Sequence, residues 1–112
     1  MLIYKILRAP EWAEFQSAGR TLGAPVDLAD GYIHFSTAAQ AAETAAKHFA
    51  GETGLMLLAL ESESLGAALK WEPSRGGQMF PHLYGTLSIS SVIWAKPLPL
   101  SEAAHIFPAE MA

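Results

Sequence analysis

The chain has 112 residues, 51% of them hydrophobic, and a net charge of −4, which suits one domain with enough apolar side chain for an ordinary core. A mean hydropathy of +0.21 with 16% charged residues excludes a disordered or collagen-like chain, and the longest strictly apolar run, the six residues Leu55 to Leu60, is too short to span a membrane. Without cysteine there is no disulfide, thiolate nucleophile or sulfur-ligated zinc, a usage that fits a reducing cytoplasm, and the seven scattered Lys and Arg offer no basic face to duplex nucleic acid or an anionic membrane.

Residues 2–7 predict a short apolar strand, with Ile3 alternating against Tyr4 and Lys5. Pro10 suits the first turn of a helix over 11–18, with Trp12 and Phe15 three apart, and Gly19 stands where its C-cap belongs. Gly23, Pro25, Asp27 and Asp30-Gly31 mark a long, turn-rich connection, of the kind that borders a site in a compact domain. Residues 31–37 alternate strictly, so Tyr32, His34 and Ser36 share one strand face while Ile33 and Phe35 share the other. Thr37 caps the next helix, with Gln40 as its partner three residues on. Over 38–50 the apolar stripe is Ala38, Ala41, Ala42, Ala45 and Phe49, opposite a wet face of Gln40, Glu43, Thr44, Lys47 and His48.

Leu55 to Leu60 is too apolar to alternate and reads as a central strand buried on both faces. Residues 62–69 give a helical turn around Leu65, 69–72 a short strand stopped by Pro73, and 74–78 a loop. Residues 80–86 are extended, with His82 and Tyr84 on one face and Pro81 marking an edge or a bulge. Ile89 to Lys96 is the last strand, ended by Pro97 and Pro99, and Ser101 caps a short terminal helix. The sum is a single domain over 1–112 of α+β class, with a mixed, mostly antiparallel, split sheet and one main covering helix.

Two strands carry a histidine and a hydroxyl at i and i+2 on one face: His34 with Ser36, and His82 with Tyr84. A core-packing face has no use for such a pair, since a buried polar group without a partner costs about 1–3 kcal/mol. A cleft does, because imidazole orients a ribose hydroxyl, moves a proton or holds a phosphate near neutral pH. The bland alternative is that both histidines only satisfy buried backbone. Glu72, at a strand end, offers a carboxylate against developing positive charge or is simply solvated. Arg75-Gly76-Gly77 suits an anion nest or a plain turn, and Lys5 and Arg8 suit phosphate or are surface charge. Tyr4, Tyr32 and Tyr84 are candidates to stack on a ring. Spacing nominates no third ligand beside His34 and His82, so no metal is expected.

In Gly31-Tyr-Ile-His-Phe-Ser36 and Phe80-Pro-His-Leu-Tyr-Gly85 the sequence resembles a bacterial family catalogued as domain of unknown function 952. The similarity extends through Ile3-Tyr4, Trp12, Gln40, residues 55–61 and Lys70-Trp71-Glu72. That resemblance implies an ADP-ribosyltransferase-like fold, which grips NAD between two small sheets, and hence a small nucleotide ligand such as NAD or ADP-ribose. Such enzymes hold a ribose with a strand His followed by a small residue and Ser or Thr; His34 and Ser36 match, with Phe35 in the small residue's place. Glu72 and Tyr84 match by type the catalytic Glu and the tyrosine over nicotinamide, and Lys5 stands where relatives carry His. The reaction so implied is cleavage of a ribosyl–nicotinamide bond, with Glu72, His82 and Tyr84 catalytic and His34, Ser36, Lys5, Arg8 and Arg75 holding the nucleotide. Two other functions stay open. One is a metal-free two-histidine phosphoesterase, whose His-apolar-Ser/Thr motif fits His34-Phe35-Ser36 but meets Tyr84 at the second site. The other is a nucleotide-binding module without turnover.

Overall fold

Residues 1–102 and 104–111, apart from the side chain of Arg75, are described by a computed structural model. At its centre lies β4 (Leu55–Glu61), whose apolar run leaves nothing polar to turn towards water. β1 (Leu2–Arg8) and β8 (Val92–Leu98) flank it, both antiparallel. The two-residue period then divides these strands between two cores. Leu58 and Leu60 meet Ile3, Leu7, Phe15, Ile33 and Phe35 in one; Leu55, Leu57 and Ala59 meet Tyr4, Ile6 and Leu98 in the other.

α1 (Ala9–Ala18) carries Phe15 into the first core and ends at Gly19, which takes the left-handed φ of 77° and donates its N–H to the Phe15 carbonyl. α3 (Ala38–His48) covers the second core; Gln40 Oε1 accepts the Thr37 N–H at 3.0 Å, ending one of the helix's orphan donors. Its apolar stripe is narrower than predicted. Ala41 and Ala45 are buried, but Ala38 and Ala42 are exposed, and Phe49 lies past the helix end, half-buried beneath the Arg8 guanidinium. Ala45→Leu should therefore overpack the sheet and cost about 1–3 kcal/mol, whereas Ala42→Leu should stay within about 0.5 kcal/mol. Equal shifts of the two urea midpoints would show that the buried face is wrongly assigned.

The predicted loop after Gly19 holds two elements, β2 (Arg20–Thr21) and α2 (Pro25–Asp30). β3 (Ile33–His34) is shorter than the alternating stretch that encodes it. Past it, Tyr4 N–H donates to the Ser36 carbonyl at 2.8 Å and Ser36 N–H to the Tyr4 carbonyl at 2.9 Å. That bridge joins the first sheet to a second, in the order β3, β6 (Met79–Leu83), β5 (Leu69–Pro73). Pro81 is thus not at an edge but in a central strand. Its missing N–H is tolerated where β3 ends, with Phe35 N–H donating to the Pro81 carbonyl at 3.0 Å.

Two further expectations fail near the C-terminus. Ile89–Ser91 is a 3₁₀ turn, and β8 starts at Val92 and runs through Pro97, which is exposed on an outer strand. Ser101 caps no helix; β9 (Leu100–Ser101) pairs with β10 (Ala104–His105), while β7 (Leu87–Ser88) pairs with β2. Every ladder among the described residues is antiparallel, so the sheet is split but not mixed. No helix among them is long and apolar enough to cross a membrane.

Candidate functional site

The register of β3 on β6 sets His34 directly opposite His82, so the two imidazoles emerge on one face while Ile33 and Leu83 enter the core behind. β5 sets Glu72 opposite Phe80 on that same face, one diagonal step from His82. The ring centroids of His34 and His82 are 5.4 Å apart.

A carboxylate holds each imidazole at Nδ1. Glu72 Oε1 lies 2.8 Å from His82 Nδ1 and accepts the Tyr84 hydroxyl at 2.7 Å. Asp27 Oδ1 lies 2.6 Å from His34 Nδ1 and accepts the His34 backbone N–H at 3.1 Å. The other Asp27 oxygen accepts the Ala24 N–H and pairs with Lys5 Nζ, each at 2.7 Å. Asp27 projects from α2 with its side chain fully buried, and from the last turn of the same helix Asp30 Oδ2 reaches within 2.9 Å of His34 Nε2. The Tyr32 ring packs on His34, His82 and Tyr84 at centroid distances of 4.6, 4.2 and 5.1 Å. Tyr32, His34, Asp30 and His82 line a cavity of about 590 Å³, which continues past Lys5, Ser36 and Thr44 to Arg8, His48 and Phe49. That volume suits a small-molecule ligand.

Burial alone would raise the Asp27 carboxyl, but hydrogen bonds from His34 and Lys5, with the Lys5 charge, outweigh it and hold the group at about 2. Burial pulls the Lys5 ammonium below its usual range, and Asp27 offsets part of that. Bonds from His82 and Tyr84 keep Glu72 below the usual carboxylate range, and the same contact pushes Tyr84 up to about 12, so its hydroxyl stays a donor. Tyr32 is raised by burial and by the nearby carboxylates of Asp30 and Glu72.

The Asp27 shift fixes the sign of an acid effect. Its folded pKa is depressed, so the stabilisation is complete above about pH 4 and is lost as pH falls from there through about 2, on the order of 2 kcal/mol. Glu52 and Glu72 are also held low but stand more exposed. Urea titrations across that window check this. A flat profile would show that the Asp27 carboxylate is not engaged as described.

His34, His82, Glu72 and Tyr84, nominated from three separate stretches of the sequence, are thus brought together, although Glu72 and Tyr84 are not among the residues lining the cavity, and Tyr84, exposed, touches the cluster through Glu72 and Tyr32. Ser36 is on the cavity wall with its hydroxyl on Thr44 at 2.8 Å. Lys5 and Arg8 line the cavity but are not free cations: Lys5 is held by Asp27, and Arg8 Nε and Nη2 bind the two Glu52 oxygens at 2.8 and 2.9 Å. Arg75 has its side chain outside the described residues; its backbone opens a 3₁₀ turn over Arg75–Gly77. Among the described residues no group of three or more His, Asp or Glu is arranged to hold a metal ion. Sequence reasoning missed Asp27 and Asp30 as site residues because both sit in a stretch that reads as turns. The usable signal was Pro25 followed two residues later by an acid, which marks the first turn of a helix.

The family described as "Protein of unknown function (DUF952)" matches residues 6–95. The X-ray crystal structure of protein CC0527 from Caulobacter crescentus is similar, at 52% identity over 94% of this chain and 92% of that chain, with a TM-score of 0.91. A crystal structure of a double mutant of CC0527 gives 50% identity over the same shares and a TM-score of 0.90. The solution NMR structure of CC0527 gives 53% identity over 93% and 90% of the two chains and a TM-score of 0.83. No curated protein matches the chain.

Proposed function

The chain belongs to the DUF952 family, and from that premise we propose that it binds NAD or ADP-ribose in the cavity beside Tyr32 and cleaves the bond between ribose and nicotinamide. The observation that carries this is the pairing of His34 and His82, each steered at Nδ1 by a carboxylate, beside a tyrosine pair flanked by acids. Tyr32 and Tyr84 offer ring faces, and Asp30 and Glu72 offer negative charge, to a cationic nicotinamide ring. Two three-stranded antiparallel sheets joined at one bridge, with the cavity beside that junction, are also what an ADP-ribosyltransferase-like fold would provide.

In the reaction the ribose C1′–N bond breaks and its electron pair leaves with nicotinamide, which becomes neutral. The carboxylate of Glu72 offsets the oxocarbenium charge that develops, and it is already deprotonated and fixed before the substrate arrives. His34, held in one orientation by Asp27, presents Nε2 to an oxygen of the bound nucleotide. The oxygen of a water or acceptor hydroxyl bonds to C1′ in nicotinamide's place, and His82 takes its proton. Cysteine-free composition is in keeping with a cytoplasmic setting, where NAD is available.

One observation favours a second chemistry. Two imidazoles 5.4 Å apart, both held by carboxylates, can also act as base and acid on a cyclic phosphate. Water would attack phosphorus as one imidazole removes its proton, and the other would protonate the departing alkoxide. The deciding experiment incubates the protein with NAD, ADP-ribose and a 2′,3′-cyclic nucleotide, and follows products by chromatography and binding by calorimetry. Nicotinamide release in proportion to protein supports the first reading. Opening of the cyclic phosphate with NAD untouched replaces it with the second. Binding of ADP-ribose without turnover of anything would leave a sensing module, and no binding at all would overturn all three.

A further inference from the structure

Both ring nitrogens of His34 face carboxylates: Nδ1 is 2.6 Å from Asp27 Oδ1, and Nε2 is 2.9 Å from Asp30 Oδ2. Nδ1 is hydrogen-bonded to Asp27, whereas the Asp30 carboxylate is a close polar contact at Nε2 and not an aligned hydrogen bond. The two carboxylates differ in kind. Asp27 is fully buried and accepts from Ala24, from Lys5 and twice from His34, so it cannot leave without stranding several donors. Asp30 is 46% exposed, ends α2 just before Gly31 at a φ of 86°, and meets His34 Nε2 through a distance contact alone, without the alignment of a hydrogen bond. Its release into water would cost little. Nothing about the fold requires it to stay.

The contact it makes is nonetheless on the cavity side. Asp30, His34 and His82 all line the same space, and His82 Nε2 has no hydrogen-bond partner there among the described residues. Asp30 thus supplies from within the chain what a ligand would bring: an anionic oxygen beside the Nε2 of the imidazole. We propose that His34 Nε2 is the binding point for an anionic oxygen of the ligand, and that the Asp30 carboxylate fills this place until the ligand displaces it.

Displacement exchanges the Asp30 contact for a ligand oxygen in its place, so the ligand gains only the difference. A weak single anion is thereby turned away, while a ligand that also fills the cavity succeeds. This anion point needs the cavity to be the ligand site, as proposed above, but does not need NAD to be the ligand.

The test titrates wild type, Asp30→Ala and the double variant Asp30→Ala with His34→Gln. The probes are inorganic phosphate, acetate, ADP-ribose and uncharged adenosine, read by calorimetry, with melting curves to confirm folding. Asp30→Ala should bind ADP-ribose and at least one simple anion about tenfold or more tighter than wild type, while adenosine binds both alike. The preferred simple anion tells phosphate from carboxylate. The gain should vanish in the double variant, because it acts through His34; a gain that survives there is general charge repulsion and overturns the proposal. Unchanged or weaker anion binding in Asp30→Ala overturns it too, as does the absence of anion binding in every variant. If Asp30→Ala fails to fold, Asp30→Asn gives the same readout with the shape kept. Failure of the nicotinamide reading would appear separately, as no nicotinamide release with the anion gain intact.

Discussion

Asp27→Ala should destabilise the protein by about 3–5 kcal/mol, the cost of leaving a buried charge without its partner. The Lys5 side chain is 8% exposed and that of Asp27 is 0% exposed, so the ammonium cannot turn to water when the carboxylate is gone. The same deletion also strands the Ala24 N–H and the His34 backbone N–H, which end on the same two oxygens. Urea midpoints with an unchanged slope measure the loss. Replacing the charge as well, in Asp27→Ala with Lys5→Met, should recover much of it, since an apolar chain of similar length suits the first core better than a lone cation. A loss below about 1 kcal/mol, the range of exposed ion pairs, would mean that Lys5 and Asp27 are not buried together. Because Asp27 is also what holds His34, the fold and the candidate site draw on one ion pair.

Residue order along one strand is legible from sequence; which strand lies beside it is not. Alternation over 31–37 and 80–86 gives the histidine faces directly, and Thr37 with Gln40 gives the start of α3. That His34 meets His82 rests on a pairing between positions 48 residues apart, chosen by the packing of Ile33 and Leu83 into the first core. Lys5 is harder still. It lies in an otherwise apolar strand where the neighbouring positions Ile3 and Leu7 pack the first core, and nothing local says that an acid waits opposite. That acid, Asp27, has the composition of a turn: short, polar and close to Gly23 and Pro25. A six-residue helix has too few turns to show a period, so α2 reads as loop until its contacts are known. Pro81 and Pro97 mislead for the opposite reason, since a missing donor is tolerated where a neighbouring strand ends, as at Pro81, and on an outer strand, as at Pro97.

His82→Ala is expected to cut nicotinamide release by about 10²–10⁴-fold, the range for a positioned acid–base group, and His34→Ala to lower it through weaker binding of the nucleotide. At saturating NAD the double variant should lose little more than His82→Ala alone, because excess substrate makes good a loss of binding but not of proton transfer. Where His34 holds a charged ligand oxygen, its removal should also weaken ADP-ribose binding by about 1.5–3 kcal/mol. Stability separates the two positions. His34 is 32% exposed, and Asp27 keeps its bonds from Ala24, Lys5 and the His34 backbone, so His34→Ala should cost only about 1 kcal/mol. His82 is 4% exposed beneath the Tyr32 ring, and its truncation leaves an unfilled space there, at about 1–3 kcal/mol. Glu72 is far less buried than Asp27, so water can replace the lost bond at that carboxylate and the penalty should not grow further. Product assays and melting curves on the three variants provide both readouts. Unchanged release, with melting temperatures that fall in both single variants, would make these histidines partners for their carboxylates and nothing more.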